Sequence, residues 1–161
     1  MRVFFALLVL LSCYGIALAE NPDPNVIWSE WTVDAYVQAI RQRDLPGMTK
    51  LLTEDFVADY RSECGGAVPV SHGKCEHLLG WAGHWLTPDS LSCSIGPCEF
   101  VTTESGDWLA SGVQFFLTIH FPGGPMKIVH TKEFLIVENP SGRPAYRIAR
   151  ITTFLPSGPP Q

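Results

Sequence analysis

The sequence predicts an α+β domain in which three N-terminal helices pack against a curved, mostly antiparallel sheet. Three observations carry this. The first half of the chain holds the helical periodicity. The second half is almost continuous strand pattern, and its strands are joined by short Gly/Pro-rich turns. Consecutive strands so joined pair antiparallel, and segregated helices and strands make an α+β layer arrangement.

The 161 residues suffice for one domain, and 46% apolar against 17% charged residues excludes a disordered chain. A net charge of −5 with no basic run argues against nucleic-acid binding. No apolar stretch long enough to span a membrane occurs outside the N-terminus.

Residues 1–19 read as a secretory signal: Arg2, an apolar core over 3–11, and the small-x-small site Ala17-Leu18-Ala19, with Glu20 following. An extracellular protein is therefore expected. Cys13 would leave with the signal, and Cys64, Cys75, Cys93 and Cys98 would remain for two disulfides with three open pairings. Cys64–Cys75 with Cys93–Cys98 is favoured, because Ser-Ile-Gly-Pro between the latter two can turn. His72-x-x-Cys75-x-His77 resembles half of a zinc site, but a matching ligand pair is missing and an oxidising compartment favours disulfides, so no metal is expected.

Residues 20–27 are Pro-rich and read as irregular. A helix is predicted over 28–44, with Val33, Tyr36, Val37 and Ile40 on one face. Pro46 ends it, and 47–53 form a second, short helical turn. Residues 56–63 alternate as a strand, Phe56, Ala58 and Tyr60 on one face and Val57, Asp59 and Arg61 on the other. Gly65-Gly66 turn into a short strand over 67–71, where Pro69 implies an edge.

The third helix is predicted over 73–86, with Cys75, Leu78, Leu79, Ala82, Trp85 and Leu86 as its buried stripe. His77, Trp81 and His84 share a different face. They read as solvated histidines beside a rim tryptophan, with a second contact surface as the alternative. Strands follow over 92–104 (interrupted at Gly96-Pro97), 108–121, 126–138 and 144–154, and 156–161 form a tail.

The order helix–helix–hairpin–helix–four strands resembles the nuclear transport factor 2-like fold over about residues 28–155. The stretch from Ala35 to Met48, with Asp44-Leu45 and then Gly47, followed by Leu51-Leu52-Thr53-Glu54-Asp55-Phe56, is similar to that family's opening signature. The resemblance implies a cone with an interior pocket, used by SnoaL-like cyclases, ketosteroid isomerases and dehydratases, and also by non-catalytic carriers and dimerisation modules.

Against the ketosteroid isomerases, Tyr36 stands at the oxyanion tyrosine and Tyr60 at the catalytic aspartate. Asp59 is one residue off and on the opposite strand face, and Lys132 falls near the second oxyanion acid. A phenol is a poor base at neutral pH, so that chemistry lacks its base here. His120 and His130 flank one turn and are candidates for proton transfer if the register brings them together. Tyr36, Asp59, Tyr60, His120 and His130 are thus the catalytic candidates, and Tyr36, Phe56, Tyr60, Trp81, Trp85 and Phe134 the pocket candidates. The expected function is binding of a small apolar molecule without a cofactor. The alternatives are a cofactor-free isomerase, cyclase or dehydratase, and a homodimerising interaction module.

Overall fold

The computed structural model describes residues 24–62, 70–86 and 90–155. Helix α1 (Pro24–Gln42) and short α2 (Leu45–Leu51) lead into strand β1 (Leu52–Ser62), edge strand β2 (Val70–Gly73) and helix α3 (Lys74–Leu86). Strands β3 (Ser90–Ile95), β4 (Glu99–Thr102), β5 (Trp108–Phe121), β6 (Gly124–Glu138) and β7 (Tyr146–Leu155) complete one sheet. Its order is β2-β1-β7-β6-β5-β3, with β4 also on β5. All neighbours are antiparallel except β1 and β7, which join the two halves of the chain in parallel.

Helix α1 starts earlier than its sequence suggests, because proline is tolerated in a first helical turn, where its missing N–H would have no partner. Residues 24–27, read as irregular, are helical. The helix ends four residues before Pro46. Arg43 takes the left-handed conformation (φ 56°), the Arg43 N–H donates to the Ile40 carbonyl at 3.2 Å, and the Asp44 N–H to the Ala39 carbonyl at 2.8 Å. The Arg43 guanidinium then donates to the Trp85 carbonyl at 3.1 Å, tying this corner to the end of α3.

Asp44 caps α2 by accepting the Gly47 N–H at 2.9 Å. A Cβ on Gly47 would lie 2.2 Å from that carboxylate, so the Asp-x-x-Gly spacing is a steric requirement of the cap.

Register shifts bend the sheet around α1, one of them between Leu52 and Val57 of β1 and two in the longer strands. In β5, Ala110 pairs with Phe134 and Val113 with Lys132, so Ser111 and Gly112 together oppose Glu133. Gly112 adopts φ +66°, which a side chain would strain. The extra residue reverses parity, so Ala110, Val113, Phe115, Leu117 and Ile119 are all buried. A second shift, between Leu135 and Ile136, does the same for Ile148 and Ile151 of β7. The core lies inside the cone, between these residues and Val33, Tyr36, Val37 and Ile40 of α1.

The expected Cys93–Cys98 disulfide is corrected. Cys93 and Cys98 are free thiols, as is Cys75; Cys64 lies outside the described residues. β3 and β4 keep one continuous register on β5, with Ile95 opposite Phe115 and Glu99 opposite Ser111. Gly96-Pro97 therefore interrupts an extended strand and does not reverse it. Five residues of extended chain span about 16 Å, far beyond the ~6 Å between the Cα atoms of a disulfide.

Helix α3 also presents a different face. Trp81 is buried, whereas Leu79 and Leu86 are 64% and 86% exposed. Periodicity defines the faces of a helix but not which of them meets the sheet. Here the buried Tyr36 hydroxyl needs hydrogen-bond partners, and the His77/Trp81 face supplies them.

Candidate functional site

A cavity of about 570 Å³ opens between α3 and the inner faces of β1, β5 and β6. Its walls are Tyr60 of β1, His72 of β2, Phe115 and Leu117 of β5, and Ile128, His130 and Lys132 of β6. Glu76, His77, Leu79, Gly80, Trp81 and His84 of α3 close it. Strand alternation places each sheet residue: Ile128, His130 and Lys132 are spaced by two and share the face of buried Phe134 and Ile136.

One wall is a hydrogen-bonded trio. Trp81 Nε1–H donates to the Tyr36 hydroxyl at 3.1 Å, and the same oxygen lies 2.7 Å from His77 Nε2. An indole N–H can only donate, so Tyr36 accepts from Trp81; its own buried O–H has no acceptor among the described residues other than His77 Nε2, and satisfying it sets the direction of that bond. His77 Nε2 is then an acceptor, and the ring carries its proton on Nδ1. Burial, aided by the charges of Lys132 and His72, pushes His77 down to about 4, so the imidazole is neutral across the physiological range. Burial drives the Tyr36 phenol far above its ordinary value, with the Trp81 hydrogen bond opposing only part of the rise. Tyr36 is thus a fixed neutral hydroxyl.

The opposite wall carries a cation. Lys132 Nζ donates to Thr153 Oγ1 at 2.7 Å and sits 5.1 Å from the centre of the Phe115 ring. The residue is only 9% exposed, and none of the ion pairs among the described residues involves it. Burial lowers its ammonium to about 8. Beside it, burial and then the Lys132 charge lower His130, while burial raises Tyr60. Glu76, the carboxylate on the rim, is turned toward β2: its Oε2 lies 3.3 Å from His72 Nδ1 and 3.2 Å from the Gly73 N–H.

Of the catalytic and pocket candidates of the sequence, Tyr60, Trp81 and His130 line the cavity. Tyr36 reaches it through His77. Phe56 packs on His77 with ring centres 5.0 Å apart, and Phe134 packs on Tyr36 at 5.9 Å, so both belong to the closed core beneath. Trp85 packs beside Trp81 at 6.5 Å and does not line the cavity.

His120 is exposed on the outer face of β5, opposite Pro125, while His130 is opposite Phe115 on the inner face. The two histidines do not meet, because they stand at opposite parities of one ladder. Asp59 also faces outward, accepting from Ser71 Oγ, with Arg150 and Arg61 nitrogens at 3.6 and 3.8 Å. The sequence set Lys132 near an oxyanion position only through the resemblance, as the wrong chemistry for that role, and read His77 as solvated. The inward parity of Lys132 with Phe134 and Ile136 was the available signal for its place in the cavity. The placement of His77 depends on Tyr36, 41 residues away in the chain.

No family model matches the sequence, and no curated protein matches it. Solved structures do. A candidate dehydratase of the NTF2-like family from Streptomyces avermitilis superposes with a TM-score of 0.65 at 14% identity, covering 83% of this chain and 97% of that one. A ketosteroid isomerase-like protein from Erwinia carotovora atroseptica gives 0.58 at 19% identity, covering 82% and 96%. The CaMKII hub of S. rosetta gives 0.61 at 9% identity, covering 78% and 92%. The chain has the nuclear transport factor 2-like fold. Proteins similar in fold thus include one named ketosteroid isomerase-like and one named a CaMKII hub, so the fold alone does not settle a role.

Proposed function

We propose that this protein binds a small, mostly apolar molecule in the cone. The observation that carries this reading is the cavity itself. At about 570 Å³ it falls within the range of small-molecule sites, and its walls combine Trp81, Phe115, Leu117 and Ile128 with a few convergent polar groups. A ketosteroid isomerase-type mechanism is less well supported. By the resemblance Tyr60 stands where the base would, Asp59 faces away from the cavity, and Tyr36 is already committed to Trp81 and His77.

Native mass spectrometry of the protein purified from a eukaryotic secretion host tests the reading. A retained small molecule, or uptake of one from a lipid and metabolite mixture, is the expected result. A bare protein that takes up nothing overturns it. Secretion rests on residues 1–19, which lie outside the described residues, and the same spectrum should give a mass beginning at Glu20.

Self-association is a second reading with its own observation. On the outer sheet face Phe116 and Val129 stand opposite each other, 42% and 48% exposed. Such a pair suits burial against a second copy of the chain. Sedimentation of the wild type and of Phe116→Glu should then show a dimer and a monomer. A wild-type monomer would remove this reading and leave the cavity untouched.

A further inference from the structure

We propose that the cavity is selective for the ionised carboxylate of an apolar acid, with Lys132 supplying the counter-charge and His77 an N–H donor on the facing wall. The inference rests on the small-molecule reading above and names the chemical class of ligand.

Four features of the site point to it. Lys132 is buried among Phe115 and its neighbours, it keeps its charge at neutral pH, and no carboxylate pairs with it among the described residues. Thr153 Oγ1 takes one of its three N–H donors and is its one side-chain partner among the described residues. A buried ammonium left in this state is costly, and an anion arriving in the cavity would relieve the cost.

The second feature is the polarity of the Trp81–Tyr36–His77 trio. Nε2 of His77 is taken by the Tyr36 hydroxyl, which leaves Nδ1–H. Nδ1 has no partner among the described residues and is not sealed into the interior, so on a residue lining the cavity it is free to donate.

Third, the other polar groups on the wall, Tyr60, His72, His84 and His130, can each donate a hydrogen bond. Fourth, the rim carboxylate of Glu76 is engaged by His72 and the Gly73 N–H. The cavity therefore has an apolar body with a cation and oriented donors and no competing internal anion. A carboxylate fits such a lining, since its oxygens only accept and Lys132 supplies a charge-assisted donor.

The test uses three ligands with one hydrocarbon chain: decanoate, decanol and decylamine, titrated at neutral pH by calorimetry or tryptophan fluorescence against the wild type, Lys132→Met and Lys132→Arg. Decanoate is expected to bind the wild type at least about tenfold more tightly than decanol, with decylamine weakest. Lys132→Met should lose the preference and bind decanoate and decanol alike, and its circular dichroism and urea midpoint, read beside the wild type's, show that it is folded. Lys132→Arg should keep most of that preference.

Equal binding of decanoate and decanol by the wild type would overturn the inference while leaving the small-molecule reading standing. So would a decanoate preference that survives Lys132→Met. Failure of all three ligands to bind the wild type would overturn both. Should Lys132→Met fail to fold, the wild-type ratio and Lys132→Arg decide alone.

Discussion

The hydroxyl of Tyr36 lies 2.7 Å from Nε2 of His77 and joins the middle of α1 to the first turns of α3 across 41 residues. With Trp81 donating to the same oxygen, this small polar cluster holds the helix that covers the cavity. The buried phenol is therefore a structural joint first, and it sets the tautomer of an imidazole that both packs on core Phe56 and lines the cavity.

Tyr36→Phe should lower stability by about 2 kcal/mol. The phenyl ring keeps the packing on Phe134, but the Trp81 N–H and His77 Nε2 lose their partner, and a buried unpaired group costs about 1–3 kcal/mol. Urea unfolding of the two proteins measures this. A difference below about 0.5 kcal/mol would mean that the hydroxyl makes no net contribution, contrary to its place in the trio.

The pH dependence of His77 has a definite sign. Its pKa falls from 6.5 in the unfolded chain to about 4 in the folded one, so between these values the unfolded state binds more protons. Stability from this residue should therefore rise with pH from about 4 to 6.5 and level off above, by up to about 3 kcal/mol. The stability difference between wild type and His77→Asn, followed across that window, isolates the effect from other titrating groups. Nitrogen NMR at neutral pH should show the proton on Nδ1 and none on Nε2. A His77 that titrates near 6.5 would place it in solvent.

Cys93 should resist alkylation in the native protein. It is 3% exposed, its Sγ donates to the Val37 carbonyl at 3.5 Å, and burial raises its thiol, so little reactive thiolate forms. Iodoacetamide should label it only after unfolding. A Cys93–Cys98 cross-linked peptide in a non-reducing digest would contradict the strand register of β3 and β4 on β5.

Where structure is local, the sequence was informative. The α1 face of Val33, Tyr36, Val37 and Ile40 is buried as its spacing requires, and the turn at Ser105-Gly106-Asp107 sits between β4 and β5. The Asp44–Gly47 cap could also be read, because three residues settle it.

What was not legible depends on partners distant in the chain. His77 and Trp81 form one plausible face of α3, and Leu79 and Leu86 belong to another. Only the position of Tyr36 on a different helix decides which face turns inward. The separation of His120 from His130 likewise needed the hairpin register. Lys132 was within reach, since the resemblance set it near an oxyanion acid and β-alternation puts it beside Phe134, but a lysine was read there as the wrong chemistry and not as a buried cation.

Lys132 should be a liability to the empty protein. Burial lowers its pKa from 10.5 to about 8, so the folded state holds the ammonium less favourably than water does, by about 3 kcal/mol at neutral pH. Between pH 8 and 10.5 the unfolded chain binds more protons, and stability from this residue rises with pH as the folded amine loses its charge. Lys132→Met removes the buried charge and keeps most of the side-chain volume, while Thr153 Oγ1 loses its donor. The net expectation is a gain of about 1–2 kcal/mol at neutral pH that shrinks toward pH 10.5. Urea unfolding of ligand-free wild type and Lys132→Met at both ends of the window checks it. A variant less stable than wild type at neutral pH would show that the ammonium is well solvated or paired within the cavity, and its value to the protein would then be structural. A more stable variant that loses anion preference would show that the charge is held against its folding cost for what it binds.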